Sequence, residues 1–388
     1  MHDAAAAIVG PGLVRDGQPK WSPRWDYAAV IALFLASRAF LIATGCLAAR
    51  FMPLPYDGQT ILPDLFVRWD SLWYIHLAQS GYSIAEPITQ TGAANLNFFP
   101  AYPALIWLTS HLTGLSAAAA GVTISNLAFL AALLVIYALG RQLGGSRSNA
   151  LISVMLIAFV PEGFVFSAVY TESLFVLVTA GAMLTYSRGH YVAASALSAV
   201  GSSVRANGVL IAVWYGLEIL RKRGWRGAFR FWERPEEYLP LLAAPFGLLA
   251  FWWFCYFYTG DAFAQKSTVT FGWGWIPTWP WNGIVTGLRQ GNFEDRFWII
   301  SGLVSLALSF TLLRKGQWTL FAYCAINFAL FFSTSLPNSF LRYSISLIPI
   351  YFGLSYYIRG HWALAAVVFL LFGGMLMIGW ERGAVVTI

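Results

Sequence analysis

Charge is what this chain has least of. Only 11% of its 388 residues are Asp, Glu, Lys or Arg, against about 25% in a soluble domain. With 58% hydrophobic residues and a mean hydropathy of +0.63, that shortage excludes an ordinary water-soluble enzyme. Cysteine is scarce too: Cys46, Cys255 and Cys324 each lie in or beside an apolar run, a scatter that makes neither a disulfide framework nor a zinc site. The histidines (His2, His76, His111, His190, His361) show no ligand spacing. A Walker loop and a GxGxxG turn are both missing, as is a polar stretch long enough for an ATPase domain, so nothing in the chain would drive transport with ATP. The first 25 residues hold Asp3, Arg15, Asp16, Lys20 and Arg24 and no apolar core, so no cleavable signal is expected and the first span is read as a retained anchor. The net charge of +7 does not point to nucleic acid, because the basic residues gather at the ends of apolar runs, where the positive-inside bias puts them.

What the chain does have is apolar runs of 15 to 25 residues along almost its whole length, each able to cross most or all of a bilayer core of about 30 Å. Spans are expected near 27–49, 119–141, 149–165, 168–187, 190–204, 208–220, 237–258, 296–313, 317–334, 343–358 and 361–380. The turns "RQLGGSRS", "SRGH", "RKRGWRGAFRFWER", "RKGQ" and "RGH" are basic or small and polar. If all five are cytoplasmic, a cytoplasmic N-terminus and eleven spans follow with alternation intact. The expectation is one integral membrane domain over 1–388. Residues 1–26 form a cytoplasmic tail, 50–118 a first outer loop with juxtamembrane helices, and 259–295 an aromatic-rich outer loop. The run from Tyr191 to Leu220 is too long for one span and has "SVRANG" at its centre. It reads as two short helices with a break at 205–208, which a membrane protein tolerates only where protein or a water-filled cavity lines it. The stretch "FFPAYPALIWLTSHLTG" reads as a helix along the outer surface.

On that map the unusual polar residues share one side. Asp70, His76 and Asn97 fall in the first outer loop, Tyr170 and Glu172 at the next outer turn, and Arg205 and Asn207 at the break. Asp261, Gln265 and Lys266 open the long outer loop, and Arg342 and Tyr343 follow the last outer turn. The segment "RWDSLWYIHLAQSGY" sets Asp70 between Trp69 and Trp73. Such an acid is either an interfacial residue in an aromatic belt or a general base with hydrogen-bonding neighbours in Ser71, Tyr74 and His76. Glu162 and Glu172 at span ends are functional candidates or structural partners of an arginine such as Arg205. Arg205, Lys266 and Arg342 either snorkel to headgroups or converge on a phosphate, whose oxygens an arginine fork matches. The rings of "FGWGWIPTWPWNG" are either an interfacial belt or platforms for sugars. Carboxylate, cation and aromatic surface beside lipid suit a reaction between a lipid-linked phosphosugar and a hydroxyl: the acceptor needs a base, and the leaving lipid phosphate needs cations.

The motifs then resemble a known family. "RWDSLWYIHLAQSGY" followed by "NLNFFPAYPALI", then "PEGFVFSAVYTESLF", "VRANGVL", "GDAFAQKSTVTFGW" and "FLRYSISLIPIYF" are similar, in order, to the conserved segments of the PIG-V type mannosyltransferases. The resemblance implies a GT-C glycosyltransferase: an all-α polytopic membrane protein that takes its sugar from a polyprenyl-phosphate carrier on the periplasmic or lumenal side and inverts the anomeric centre. It implies Asp70 as the catalytic base and Glu172, Arg205, Asn207, Gln265 and Arg342 as site-lining positions. Phosphate binding by Arg205, Arg342 and Lys266, and a lining from Trp69, Trp73, His76, Asn97, Tyr170, Asp261 and Tyr343, complete the expected site. The chain departs from some GT-C enzymes in lacking a DxD or EE pair in the first loop, so no metal cofactor is assigned. The expectation is therefore a hexosyltransferase, mannose-specific by resemblance, in a bacterial inner membrane. Its partners would be a lipid-linked donor, membrane lipids and an acceptor the sequence does not name. The alternative is a transporter or flippase of a lipid-linked sugar. An alternating-access path would want matching polar groups on the inner side, and the inner turns carry only generic basic residues.

Overall fold

The computed structural model describes residues 23–51, 64–83, 95–335 and 339–383. Most of the expected tail, parts of the first outer loop and the tip of the last outer turn lie outside the described residues. Apolar runs in a bilayer must satisfy their backbone internally, and here they do so as helices; among the described residues the remaining regular structure is short 3-10 turns and one isolated bridge between Pro277 and Thr334. Four helices among the described residues are long and apolar enough to cross a membrane: Arg24–Phe51, Ala117–Gln142, Phe293–Lys315 and Trp362–Glu381. The pair Pro235–Ala243 and Phe246–Thr259 passes together, bent by 41°. The other expected spans appear as shorter apolar helices, Arg147–Ala158, Glu172–Ser187, Tyr191–Val204 and Trp318–Phe332, and a pair of short helices, Phe340–Ile345 and Pro349–Ile358.

The centre is the packing of Ala117–Gln142 against Glu172–Ser187, which in turn packs on Tyr191–Val204. Small residues set the approach, as between helices in lipid: a Cβ on Gly121 would fall 2.6 Å from Val169 Cγ1. Between Arg147–Ala158 and Glu172–Ser187 the chain leaves the helix earlier than the expected 149–165. Pro161 cannot continue it, and Glu162 takes a left-handed φ of 67°. This irregular segment is held by a charge within the first helix. Arg38, 5% exposed, donates to the carbonyls of Ala158 (3.2 Å) and Gly163 (3.1 Å) and to Ser167 Oγ (2.8 Å), and its guanidinium lies 4.8 Å from the Phe129 ring centre. A buried arginine is tolerable only with such partners. Its effect is to fix the turn that leads to Tyr170, Thr171 and Glu172.

The break in the long apolar run falls where "SVRANG" places it. Tyr191–Val204 ends, Arg205 is extended (φ −151°, ψ 144°), a 3-10 turn covers Ala206–Leu210, and a helix resumes at Ile211. Gly208 makes this return possible: a Cβ there would lie 2.3 Å from the Gly201 carbonyl oxygen and 2.7 Å from Ser202 N. Because the obstacle is backbone, Gly208→Ala is expected to destabilise the protein by about 1–3 kcal/mol, the usual cost of overpacking. A lower melting temperature in detergent, with transfer activity reduced in parallel, is the check.

The segment 259–295 is more ordered than a loop. Helix Ala264–Trp273 runs between Gly260 and Gly274, both left-handed (φ 79° and 70°), and helix Pro280–Gln290 follows. Ile276 and Thr278 are tied to Ser333 and Ser335 through backbone hydrogen bonds of 2.9 and 3.2 Å. Helix Asp70–Ser80 packs on helix Ala101–Thr113, where the sequence places outer juxtamembrane helices.

Candidate active site

Five segments that the sequence sets far apart meet around a single cavity of about 330 Å³. Asp70 enters at the start of helix Asp70–Ser80, and Tyr74, one turn on, lines the same wall. Positions i and i+4 share a helix face. Glu172 opens helix Glu172–Ser187, Arg205 and Asn207 come from the break, Gln265 and Lys266 from the helix before Gly274, and Arg342 and Tyr343 from Phe340–Ile345. Asn97 and Tyr170 also line the cavity.

The charged groups form one chain. Arg342 Nη1 donates to Asp70 Oδ2 at 2.8 Å, and its Nε lies 3.4 Å from Glu172 Oε1. The same Glu172 oxygen accepts from Arg205 Nη1 at 2.7 Å. Two carboxylates and two guanidiniums thus alternate through a largely buried wall, with Glu172 2% and Arg342 6% exposed. Aromatic rings finish the packing: Arg342 lies 4.9 Å from the Tyr170 centre and 5.3 Å from Tyr343, and Arg205 lies 4.9 Å from Tyr343. Burial by itself would lower the Arg342 guanidinium, but Asp70, Tyr343 and Glu172 more than offset it and hold the group well above its ordinary range. Arg342 is therefore a fixed cation. Asp70 Oδ1 has no donor among the described residues, and Lys266, exposed at the cavity wall, has no ion-pair partner among them. The neutral side of the site is amide-rich: Asn207 donates to Asn327 Oδ1 (3.1 Å) and Gln265 to Asn97 Oδ1 (3.4 Å).

Four residues expected in the site lie outside the cavity lining. Trp73, three residues from Asp70, turns into the protein and stacks on Phe98 at 5.3 Å and 19°. Trp69 precedes the helix with a φ of 50° and packs on the main core. His76 is half-buried on another face of that helix. Asp261 is exposed, and its carboxylate accepts from Phe263 N at 2.8 Å, closing the turn into the next helix. Arg342, expected on a phosphate, is instead committed to Asp70 and Glu172. The arginine partnership weighed for Glu172 is present with Arg205, whereas Glu162 has no hydrogen-bond partner. Thr171 and Trp275 also line the cavity, and neither stands out in the sequence. Trp275 is the one ring of the aromatic stretch found there, while Trp279 and Trp281 stack on each other at the surface, 5.1 Å apart. Among the described residues, no group of three His, Cys, Asp or Glu side chains is placed to hold a metal ion.

A family model described as mannosyltransferase (PIG-V) matches residues 30–259, more than half of the chain. The GPI mannosyltransferase 2 of Yarrowia lipolytica is 25% identical over 196 residues, 47% of this chain and 50% of that protein. The GPI alpha-1,6-mannosyltransferase 2 of Cricetulus griseus is 28% identical over 152 residues, 37% of this chain and 29% of that protein. The matched stretches thus span half or less of the length of these relatives. Among solved structures, the oligosaccharyltransferase of Archaeoglobus fulgidus, crystallised with a tethered acceptor peptide, superposes with a TM-score of 0.50 at 12% identity, covering 92% of this chain and 55% of that one. At that identity the likeness concerns the fold alone, and it is the GT-C fold that the motifs imply.

Proposed function

The chain belongs to the PIG-V mannosyltransferase family, and from that premise we propose that it is a membrane glycosyltransferase moving one hexose, mannose by family, from a polyprenyl-phosphate carrier to an acceptor hydroxyl. The observation that carries the reading is the convergence of Asp70, Glu172, Arg205, Lys266 and Arg342 on one cavity. In the proposed step the acceptor oxygen attacks the anomeric carbon as its proton passes to Asp70. The bond to the carrier phosphate breaks with inversion, and the negative charge that develops on the phosphate is stabilised by cations already in place.

The division of labour among the cations follows from their partners. Arg342 is occupied by two carboxylates and serves to orient Asp70. Arg205, with one nitrogen on Glu172, and Lys266, without a partner carboxylate among the described residues, are the groups proposed for the donor phosphate. With that charge met by side chains, the step is written without a metal. Asn97, Asn207 and Gln265 supply amides for sugar hydroxyls, and Trp275 supplies a ring face. The eleven-span topology with a cytoplasmic N-terminus and an outward-facing cavity, in an inner membrane, is part of the proposal; the basic turns support it.

Lys266→Ala tests the donor assignment. With polyprenyl-phosphate mannose as donor, the KM for donor is expected to rise about tenfold, equivalent to about 1.4 kcal/mol. The melting temperature should stay near wild type because Lys266 is exposed. An unchanged KM would remove Lys266 from the donor site.

A further inference from the structure

One buried acid takes no part in that step. Glu162, in the turn after helix Arg147–Ala158, is 1% exposed, holds a left-handed φ of 67°, and has neither carboxyl oxygen hydrogen-bonded. Buried polar groups are nearly always bonded, so a residue that is both strained and unpartnered calls for a reason. Arg342 has the complementary defect. Its Nε is buried and makes no hydrogen bond, and its Nη2 reaches Tyr343 Oη only at 3.5 Å. Glu162 lies within electrostatic reach of this guanidinium. An orphan acceptor and an under-used donor thus occupy the same interior, behind the residue that holds Asp70.

We propose that Glu162 is a positioning residue of the site: a second carboxyl that competes with Asp70 for the Arg342 guanidinium. The inference rests on the reading of Asp70 as the base. The charged groups around Glu162 are Arg342 from helix Phe340–Ile345 and Glu172 from its own helix, with Asp70 behind Arg342. Arg38 of the first helix grips the carbonyls of Ala158 and Gly163 on either side of the turn. Burial pushes the Glu162 carboxyl well above the usual carboxylate range; Arg342 partly opposes this and Glu172 adds to it. While Glu162 keeps its proton, two carboxylates balance two guanidiniums and Arg342 stays on Asp70. Once it ionises, a third carboxylate draws Arg342 off Asp70 and turns the wall negative, against an anionic donor.

The test is a pH series on wild type and Glu162→Gln, reading donor KM and kcat with polyprenyl-phosphate mannose and, separately, the melting temperature in detergent. The expected result is that the wild-type donor KM rises as pH is raised while that of Glu162→Gln stays flat. A group whose proton is held more tightly when folded stabilises below its unfolded pKa, about 4.3 for Glu, and that stability is lost as pH rises toward the folded value. The wild-type melting temperature is therefore expected to fall with rising pH through this window, and the fall to be smaller in the variant. An equal rise in KM in both proteins overturns the proposal. Turnover by neither would count against the transferase reading, and the melting series would still decide on Glu162: equal slopes overturn its role. Should Glu162→Gln not fold, Glu162→Gly, which removes the carboxyl and suits the left-handed backbone, is measured instead.

Discussion

Asp70→Asn is expected to lower the transfer rate by about 10²–10⁴-fold, the range that a positioned general base supplies, with the protein still folded. Asparagine keeps the shape and can accept the Arg342 hydrogen bond through its amide oxygen, so the 2.8 Å contact to Arg342 has a replacement, but it cannot take the acceptor proton. The expected signature is a fall in kcat with little change in donor KM, because Asp70 faces the acceptor hydroxyl in the proposed step and the donor phosphate is assigned to Arg205 and Lys266. A variant with near wild-type kcat would show that Asp70 is held by Arg342 for structural reasons alone.

Glu172→Gln is expected to be more damaging to the fold. Glu172 Oε1 is shared by Arg205 at 2.7 Å and Arg342 at 3.4 Å, with the Glu172 side chain only 2% exposed. Removing one member of a buried ion pair leaves an uncompensated charge and costs about 3–5 kcal/mol. Here one carboxylate serves two guanidiniums. Arg342 keeps Asp70, but Arg205 has no other ion-pair partner among the described residues. The expectation is a large drop in melting temperature in detergent together with loss of transfer, since Arg205 stands at the break and Arg342 beneath Asp70. Wild-type stability in this variant would mean that the four-group chain does not hold the site.

These expectations draw on both what the sequence discloses and what it hides. The break at Arg205 is legible in "SVRANG" because polar backbone and side chains in the middle of a long apolar run need protein or water to line them, and the structure puts the extended residue at Arg205 itself. The gathering of Asp70, Glu172, Arg205, Lys266 and Arg342 is legible in outline, since spans alternate and their outer turns must share one side. Who pairs with whom is hidden. Asp70 and Arg342 are 272 positions apart, and nothing local says that Arg342 serves a carboxylate and Arg205 is shared. Facing is only partly legible: helical spacing from Asp70 puts Tyr74 on its wall and turns Trp73 into the core, yet "WDSLWY" shows both rings equally near. Arg38 carries a signal of its own, as a lone arginine inside the first apolar run; what it binds, the carbonyls of a turn 120 and more residues away, is visible only in the fold. The helices within 259–295 are obscured by composition, because dense aromatics look alike in a belt and in a helix.

The most direct test of the central claim is to follow the carrier. Purified protein in liposomes of a membrane lipid extract is given polyprenyl-phosphate mannose labelled in the sugar, with short mannosides as acceptors. The account predicts that wild type separates label from lipid, yielding labelled oligosaccharide and an equal amount of free polyprenyl phosphate, and that Asp70→Asn yields neither. Intact labelled lipid that crosses between leaflets at equal rates with both proteins, with no polyprenyl phosphate released, would contradict it and make the protein a transporter.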